Sequence, residues 1–200
     1  GSNGWFNTVP VIISAGGSDA MSGLASAQVS ADGGAWQSNT SLDSDGVYRI
    51  DFKAVDNAGN SVTSSRTVSI DTTPPLFTSS TDGAVGNAPW YTSFATTTIS
   101  PSDVLSGVGY VEYSENGAGW QNGSSIVSQD GVNMISVRVH DVAGNVASGS
   151  VSVSVDTVPP TITPSISGTN GSNGWIISTG TVSVAVNDAI SGVRAGADVS

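Results

Sequence analysis

Aspartates recur in this chain at three kinds of turn, each time with the same neighbours. Asp19, Asp103 and Asp188 each open Asp-Xaa-Xaa-Ser-Gly. Asp56 and Asp141 each open Asp-Xaa-Ala-Gly-Asn, and Asp71 and Asp156 each open Asp-Thr-Xaa-Pro-Pro. Gathered carboxylates are hard oxygen ligands, and calcium takes roughly six to eight such oxygens. The same residues also serve turns with no ligand, because Asp accepts backbone N–H bonds and a following Gly supplies positive φ. The sequence has neither an EF-hand nor a calcium-binding nonapeptide. Which role these aspartates take depends on whether the fold brings them together.

Other reactive chemistry is sparse. His140 is the single histidine, and Val55 stands at the matching position 85 residues earlier. One unrepeated histidine on a solvated strand makes no Ser–His–Asp arrangement. Lys53 is the only lysine and has Arg138 as its counterpart. Its outward register excludes an intramolecular Lys–Asn isopeptide bond. Cysteine is absent, which removes thiol catalysis and thiolate metal sites. No acid, base and nucleophile recur together, so the chain is expected not to be an enzyme and to hold no catalytic or cofactor-binding residues. Trp36 and Trp120 follow turns, and Trp5, Trp90 and Trp175 follow Gly-rich loops. Exposed, they could stack on sugar rings. Their recurrence favours packing on the core or sealing a domain end. Asn39-Thr-Ser, Asn122-Gly-Ser and Asn170-Gly-Ser match glycosylation sequons, as chance allows in so Asn- and Ser-rich a chain.

The elements that must position these residues repeat. Trp5, Trp90 and Trp175 stand 85 residues apart, and so do Asp56 and Asp141, and Asp71 and Asp156. A period of that length in 200 residues means two modules and a fraction. The alternation is of period two. Tyr48, Ile50, Phe52 and Ala54 share one face and Arg49, Asp51 and Lys53 the other; Ile135, Val137 and Val139 alternate with Ser136, Arg138 and His140. Such runs are half-buried strands with one wet face. Asp32-Gly-Gly34, Glu115-Asn-Gly117 and the two Ala-Gly-Asn segments read as turns between strands. Roughly seven short antiparallel strands per repeat fit an immunoglobulin-like sandwich. Tyr48 is placed to act as a tyrosine corner, and its counterpart Asn133 is not. The expected fold is therefore all-β, tandem immunoglobulin-like β-sandwiches in an elongated array. The Pro-Pro pairs stiffen the junctions. They divide the chain into 1–73, a module lacking its N-terminal strand; 74–158, a complete module; and 159–200, a partial module lacking its C-terminal strands.

Composition limits the partners. A net charge of −11 and a sequence pI near 4.1 argue against nucleic acid and against anionic membrane surfaces. No apolar run is long enough to span a bilayer, so no membrane insertion is expected. Charged residues make up only 10% of the chain, so Ser, Thr, Asn and Gly must carry the surface. That composition reads as extracellular.

The run from Asp19-Ala-Met-Ser-Gly23 through Val29-Ser-Ala-Asp-Gly-Gly-Ala-Trp36 and Val55-Asp-Asn-Ala-Gly-Asn60 to Ile70-Asp-Thr-Thr-Pro-Pro75 resembles the bacterial Ig-like repeats of large surface proteins and adhesins. The second copy, from Asp103-Val-Leu-Ser-Gly107 to Val155-Asp-Thr-Val-Pro-Pro160, resembles them too. The resemblance implies a non-catalytic segment of an exported cell-surface protein, serving as adhesin stalk or spacer. It equally allows a subunit of an extracellular fibre or surface layer whose end modules are completed between chains, or a carbohydrate-binding accessory module of a secreted glycosidase. The partners are then neighbouring modules, other copies of the chain, or a cell-surface or polysaccharide ligand.

In such a sandwich the loops opened by Asp103 and Asp141 lie at the end facing the preceding linker, where Asp71 sits. The expected metal ligands, for calcium between modules, are Asp71, Asp103 and Asp141. Asp156 and Asp188 form the corresponding set at the next junction. Turn chemistry alone remains the competing account of all five.

Overall fold

The computed structural model describes residues 1–194, and the described chain is all-β apart from one three-residue 3-10 turn at Ser172–Gly174. Sixteen strands run in the order β1 Trp5–Phe6, β2 Val11–Ser14, β3 Leu24–Ala31, β4 Asn39–Leu42, β5 Gly46–Asp56 and β6 Ser61–Ile70; β7 Leu76–Asp82, β8 Trp90–Tyr91, β9 Ala95–Ser102, β10 Val108–Glu115, β11 Gln121–Asn122, β12 Ser125–Ser128, β13 Gly131–Asp141 and β14 Val146–Val155; then β15 Thr161–Ser167 and β16 Thr181–Asn187.

Residues 76–155 form two facing sheets. One has the order β11-β10-β13-β14-β8 and the other β12-β9-β7. The alternation seen in the sequence sets their faces. Ile135, Val137, Val139, Val153 and Val155 on one sheet and Ala95, Ile99 and Ile126 on the other are buried together. Each fully buried aliphatic side chain contributes roughly 1.5–3 kcal/mol relative to exposure. Phe77 crosses the gap so closely that a Cβ on Gly149 would lie 2.8 Å from its ring, so a side chain there would have to displace the ring.

Residues 5–70 build the same arrangement on a separate core of Val11, Leu42, Ile50 and Ile70, with β1-β6-β5-β3 facing β2-β4. Residues 161–187 contribute the hairpin β15-β16, pairing Thr161 with Asn187 through Ser167 with Thr181. Ile162, Val182 and Val184 occupy the positions of Phe77, Thr97 and Ile99 one repeat earlier, and all three are exposed.

Three expectations are corrected. The pairing is not all antiparallel, because β1 runs parallel to β6 and β8 parallel to β14, which places Trp5 and Trp90 beside the last strand of each sheet. Trp36 and Trp120 are not core residues. They lie on the outer face with Lys53 6.0 Å and Arg138 3.9 Å from their ring centroids, so a cation covers each ring. Asn133 does replace the tyrosine corner. Tyr48 Oη donates to the Ser44 carbonyl at 2.9 Å, and Asn133 Nδ2 donates to the Gln129 carbonyl, also four residues upstream, at 2.7 Å.

Candidate functional site

The junction between the first two sandwiches gathers the aspartates. Asp71 follows Ile70 out of β6, and its N–H donates to the Phe6 carbonyl at 2.9 Å, which pins the exit of the chain. Asp103 opens the turn after β9, and Asp141 is the last residue of β13. Strand direction alone puts both at the end that meets the linker. One carboxylate oxygen from each of Asp71, Asp103 and Asp141 lies within 4.8 Å of the others. Asp71 is fully buried and Asp141 nearly so.

Each carboxylate is also held by N–H donors. Asp71 Oδ1 accepts from Thr73 N at 3.1 Å and Oδ2 from Ser106 N at 3.0 Å. Asp103 Oδ1 accepts from Leu105 N at 3.2 Å and Gly107 N at 2.6 Å. Gly107 sits at φ +84°, where an L side chain is strained. Asp141 Oδ1 accepts from Gly144 N at 2.6 Å and Asn145 N at 2.7 Å, and Oδ2 from Asn145 Nδ2 at 2.7 Å. Charge-assisted bonds of this kind are the strong ones, and they keep carboxylates tolerable in a buried place. The donor set is all oxygen and carries three negative charges, which suits a hard divalent cation. Three carboxylates fill only part of a calcium shell, so water would complete it.

The linker is fastened from both sides. Asn145 Nδ2 donates to the Asp71 carbonyl at 2.8 Å and reaches the Thr73 carbonyl at 3.4 Å. From the first unit, Ser2 N donates to the Ala143 carbonyl at 3.0 Å and Ser2 Oγ to the Val142 carbonyl at 2.8 Å. Asp45 then takes the threonines of the linker: Thr72 N and Thr72 Oγ1 both reach its Oδ1 at 2.8 Å, and Thr73 Oγ1 its Oδ2 at 2.6 Å.

The next junction repeats these contacts. Ser191 N donates to Asp156 Oδ2 at 3.1 Å, and Thr157 N to Asp130 Oδ1 at 2.8 Å. Asp188 Oδ1 accepts from Ile190 N and Gly192 N in its own turn. A cleft of about 350 Å³ lies here between Asn87, Trp90, Pro159, Asp188 and Ser191. At the first junction, the residue matching Asn87 is Ser2, which holds the hairpin at 142–144.

Hydrogen bonds displace the carboxyl pKa of four of these aspartates downward. The Ser191 hydroxyl, then the Val158 N–H, holds Asp156 below the ordinary range. The Thr73 hydroxyl does so for Asp45, the Asn60 amide for Asp56, and the backbone N–H of Ser22 for Asp19.

The sequence reading named five of these aspartates and missed Asp45 and Asp130. Their signal was present, since Asp45-Gly46 and Asp130-Gly131 also lie 85 residues apart. It also left out Asn145 and Ser106, the neutral partners within its own motifs.

A second cluster occupies the outer sheet face. Tyr110 and His140 stack with ring centroids 4.1 Å apart. His140 Nε2 lies 3.2 Å from Glu112 Oε1, which Arg138 also approaches at 3.5 Å. All four side chains lie on one face of the paired strands β10 and β13.

No helix of the described residues is long and apolar enough to cross a membrane. The sequence matches no protein-family model and no curated protein. Among solved structures, the chain is similar to the fibronectin(III)-like modules of Clostridium thermocellum CbhA. The two share 15% identity at a TM-score of 0.40, over 78% of this chain and 89% of the other.

Proposed function

We propose that this chain is a non-catalytic structural segment of an exported bacterial cell-surface repeat protein, acting as an adhesin stalk or spacer. The units are taken as 1–73, 74–158 and 159–200. The observation that carries this reading is the doubly fastened linker. Asp45 grips Thr72 and Thr73 from the first unit, while Ser106 and Asn145 hold Asp71 from the second. A linker bonded on both sides, and stiffened by Pro74-Pro75, transmits the orientation of one unit to the next. Repetition of the device then converts units into reach. Calcium at Asp71, Asp103 and Asp141, and at Asp156 with Asp188, belongs to the same proposal, as a lock on the interdomain angle. Small-angle scattering tests the reading: an elongated particle of constant shape supports it, and a compact or freely hinged particle refutes it.

A second reading is a fibre or surface-layer subunit with end units completed between copies of the chain. Sedimentation distinguishes the two, since the first expects a monomer and the second concentration-dependent assembly.

A further inference from the structure

Several departures of the second unit from the first gather at one edge of its outer sheet face. Ser26 and Val55, paired across β3 and β5, become Tyr110 and His140, paired across β10 and β13. Gln28 and Lys53 become Glu112 and Arg138. The stretch from Trp120 to Asn133 is one residue longer than that from Trp36 to Tyr48, and it carries Asn122-Gly123-Ser124 beside β10. The tryptophan with its covering cation is common to both units, so it belongs to the shared scaffold. The tyrosine, the histidine and the lengthened loop do not.

Together these residues shape a cleft. Strand β10 lies between β13 and β11, so Tyr110 has His140 on one side and the loop after β11 on the other. His140 stacks on one face of the Tyr110 ring, with centroids 4.1 Å apart and planes 8° from parallel. Glu112 Oε1 lies 3.2 Å from His140 Nε2 and holds the imidazole in place. The tyrosine ring is thus backed on one face and leaves the other to the β11 side. A cleft of about 360 Å³ lies there, lined by Tyr110, Val111, Asn122, Gly123 and Ser124. Small-ligand sites occupy roughly 300–1,000 Å³. The cleft has a fastened wall, because the Gly123 N–H donates to the Val111 carbonyl at 3.0 Å. Gly123 sits at φ +155°, a backbone that a side chain would strain.

The chemistry of the lining narrows the ligand. It offers one aromatic face, one amide and two hydroxyls, and no charged side chain. Tyr110 is half-exposed, and Asn122 and Ser124 are exposed. The face of an aromatic ring carries the negative part of its quadrupole and attracts polarised C–H groups. An amide and a hydroxyl each donate and accept. A pyranose presents both features, C–H groups on a ring face and hydroxyls around its rim. A charged ligand would lose hydration without gaining a counter-charge in the cleft, and the chain's net charge of −11 repels anions in particular.

We propose that the cleft of Tyr110, Asn122, Gly123 and Ser124 binds a neutral pyranose ring of a glycan, in the second unit and not in the first. The sugar stacks on the free face of Tyr110, and its hydroxyls meet the Asn122 amide and the Ser124 hydroxyl. His140 and Glu112 are positioning residues that keep the tyrosine ring upright. The binding ring is this unrepeated tyrosine, not one of the repeated tryptophans. The proposal goes beyond the spacer reading, since a spacer needs no ligand and the cleft lies away from the linker contacts.

The experiment titrates the isotope-labelled full chain with cellotetraose, mannotetraose and xylotetraose and follows amide shifts by NMR. The expected result is saturable change with at least one of them at Tyr110, Val111 and Asn122 to Ser124, while Ser26 and Gln37 to Asn39 of the first unit stay unmoved. The affinity should be on the order of millimolar, the scale for one stacked ring and a few exposed hydrogen bonds. Tyr110→Ser installs the residue that the first unit carries at this position, so the sandwich is expected to fold as before. It should weaken binding about tenfold or more. His140→Val, likewise the first unit's residue, should weaken binding less, because the tyrosine ring remains without its support. No saturable change with any of the three glycans at tens of millimolar, equal binding by the Tyr110→Ser chain, matching shifts in both units, or tighter binding of tetragalacturonate would each overturn the proposal. Scattering decides the spacer reading separately, so an elongated chain that ignores every glycan refutes the sugar site alone.

Discussion

Asn145 donates its side-chain amide to the carbonyl of Asp71, in the preceding unit, at 2.8 Å. The same amide also closes its own hairpin on Asp141 at 2.7 Å. One residue therefore couples the fold of a loop to the position of a linker. Asn60 makes the hairpin contact alone, to Asp56 at 2.7 Å. The pair of variants Asn145→Ala and Asn60→Ala separates the two jobs. Asn145→Ala is expected to cost about 1–3 kcal/mol in urea unfolding, the range for exposing a buried polar partner, and to broaden the interunit angle in scattering. Asn60→Ala should cost less and leave the angle unchanged. Equal effects would mean that the junction contact contributes nothing.

Asp45 fixes the linker from the other side, through Thr72 and Thr73. Asp130 repeats this with Thr157 at 2.8 Å and 3.0 Å. Asp45→Ala is expected to speed hydrogen exchange of the Thr72 amide at least tenfold, and Asp130→Ala that of Thr157. Each variant should leave the other junction as it was, because the two sites share no partner. Unaltered exchange at Thr72 would show that the linker is held by Asp71 and Pro74-Pro75 without Asp45.

The pH dependence follows from the direction of the shifts. Hydrogen bonds lower the carboxyl pKa of Asp19, Asp45, Asp56 and Asp156 in the folded chain. A carboxyl with a lowered folded pKa binds protons more readily when unfolded. Its stabilisation is present in full above the unfolded value, about 3.9 for Asp, and is lost as pH falls through the lower folded value. Thermal unfolding is therefore expected to be flat from about pH 7 to pH 5 and to weaken below about pH 4. Asp45→Asn should flatten the acid limb. A stability that rises on acidification would contradict the direction of all four shifts.

The repeats, the alternation and the turns are written in local sequence, which is why the strand pattern, the hairpins at 56–60 and 141–145 and the meeting of Asp71, Asp103 and Asp141 were legible there. What stayed hidden depends on contacts between distant segments. Nothing local says that Trp120 will lie under Arg138, since an outward strand position and a turn residue give no distance. Nor does residue type reveal equivalence of role. Asn133 reaches the Gln129 carbonyl as Tyr48 reaches that of Ser44, although one is an amide and the other a phenol. Asp45 was overlooked because an Asp-Gly pair reads as a turn signal, and its bonds to the linker appear only when β5 is laid beside β6.

That equivalence predicts matched losses. Tyr48→Phe removes only the hydroxyl that binds the Ser44 carbonyl and faces Ser44 Oγ at 2.9 Å. Asn133→Ala removes a nearly buried amide that also accepts from Asn116 Nδ2 at 3.0 Å. Each is expected to destabilise its own unit, Tyr48→Phe by about 1 kcal/mol and Asn133→Ala by about 1–3 kcal/mol. Urea unfolding followed by unit-resolved NMR reads both. A null effect of Asn133→Ala would break the parallel.

The carboxylate corner allows the most direct test of the metal proposal. Three carboxylates within 4.8 Å of one another repel, and each is already drawn by backbone N–H groups that lessen the repulsion. A divalent cation adds a stronger attraction that acts on all three at once and exists only when the units are docked. It therefore stabilises the docked state by mass action, by about 2.7 kcal/mol at a hundredfold excess over Kd. Calcium is expected to raise the unfolding temperature and narrow the interunit angle, chelator to reverse both, and Asp103→Ala to abolish the response while leaving Ser106 N on Asp71. Asp103 is the suitable position because it is the least buried of the three, so its loss least disturbs folding. The Asp19→Ala variant serves as control, since Asp19 accepts from Met21, Ser22 and Gly23 within its own turn and its loss should leave the calcium response of the junction intact. A response to calcium that survives Asp103→Ala, or no response in the unaltered chain, would leave Asp71, Asp103 and Asp141 as a hydrogen-bonded corner that fixes the junction by N–H donors alone.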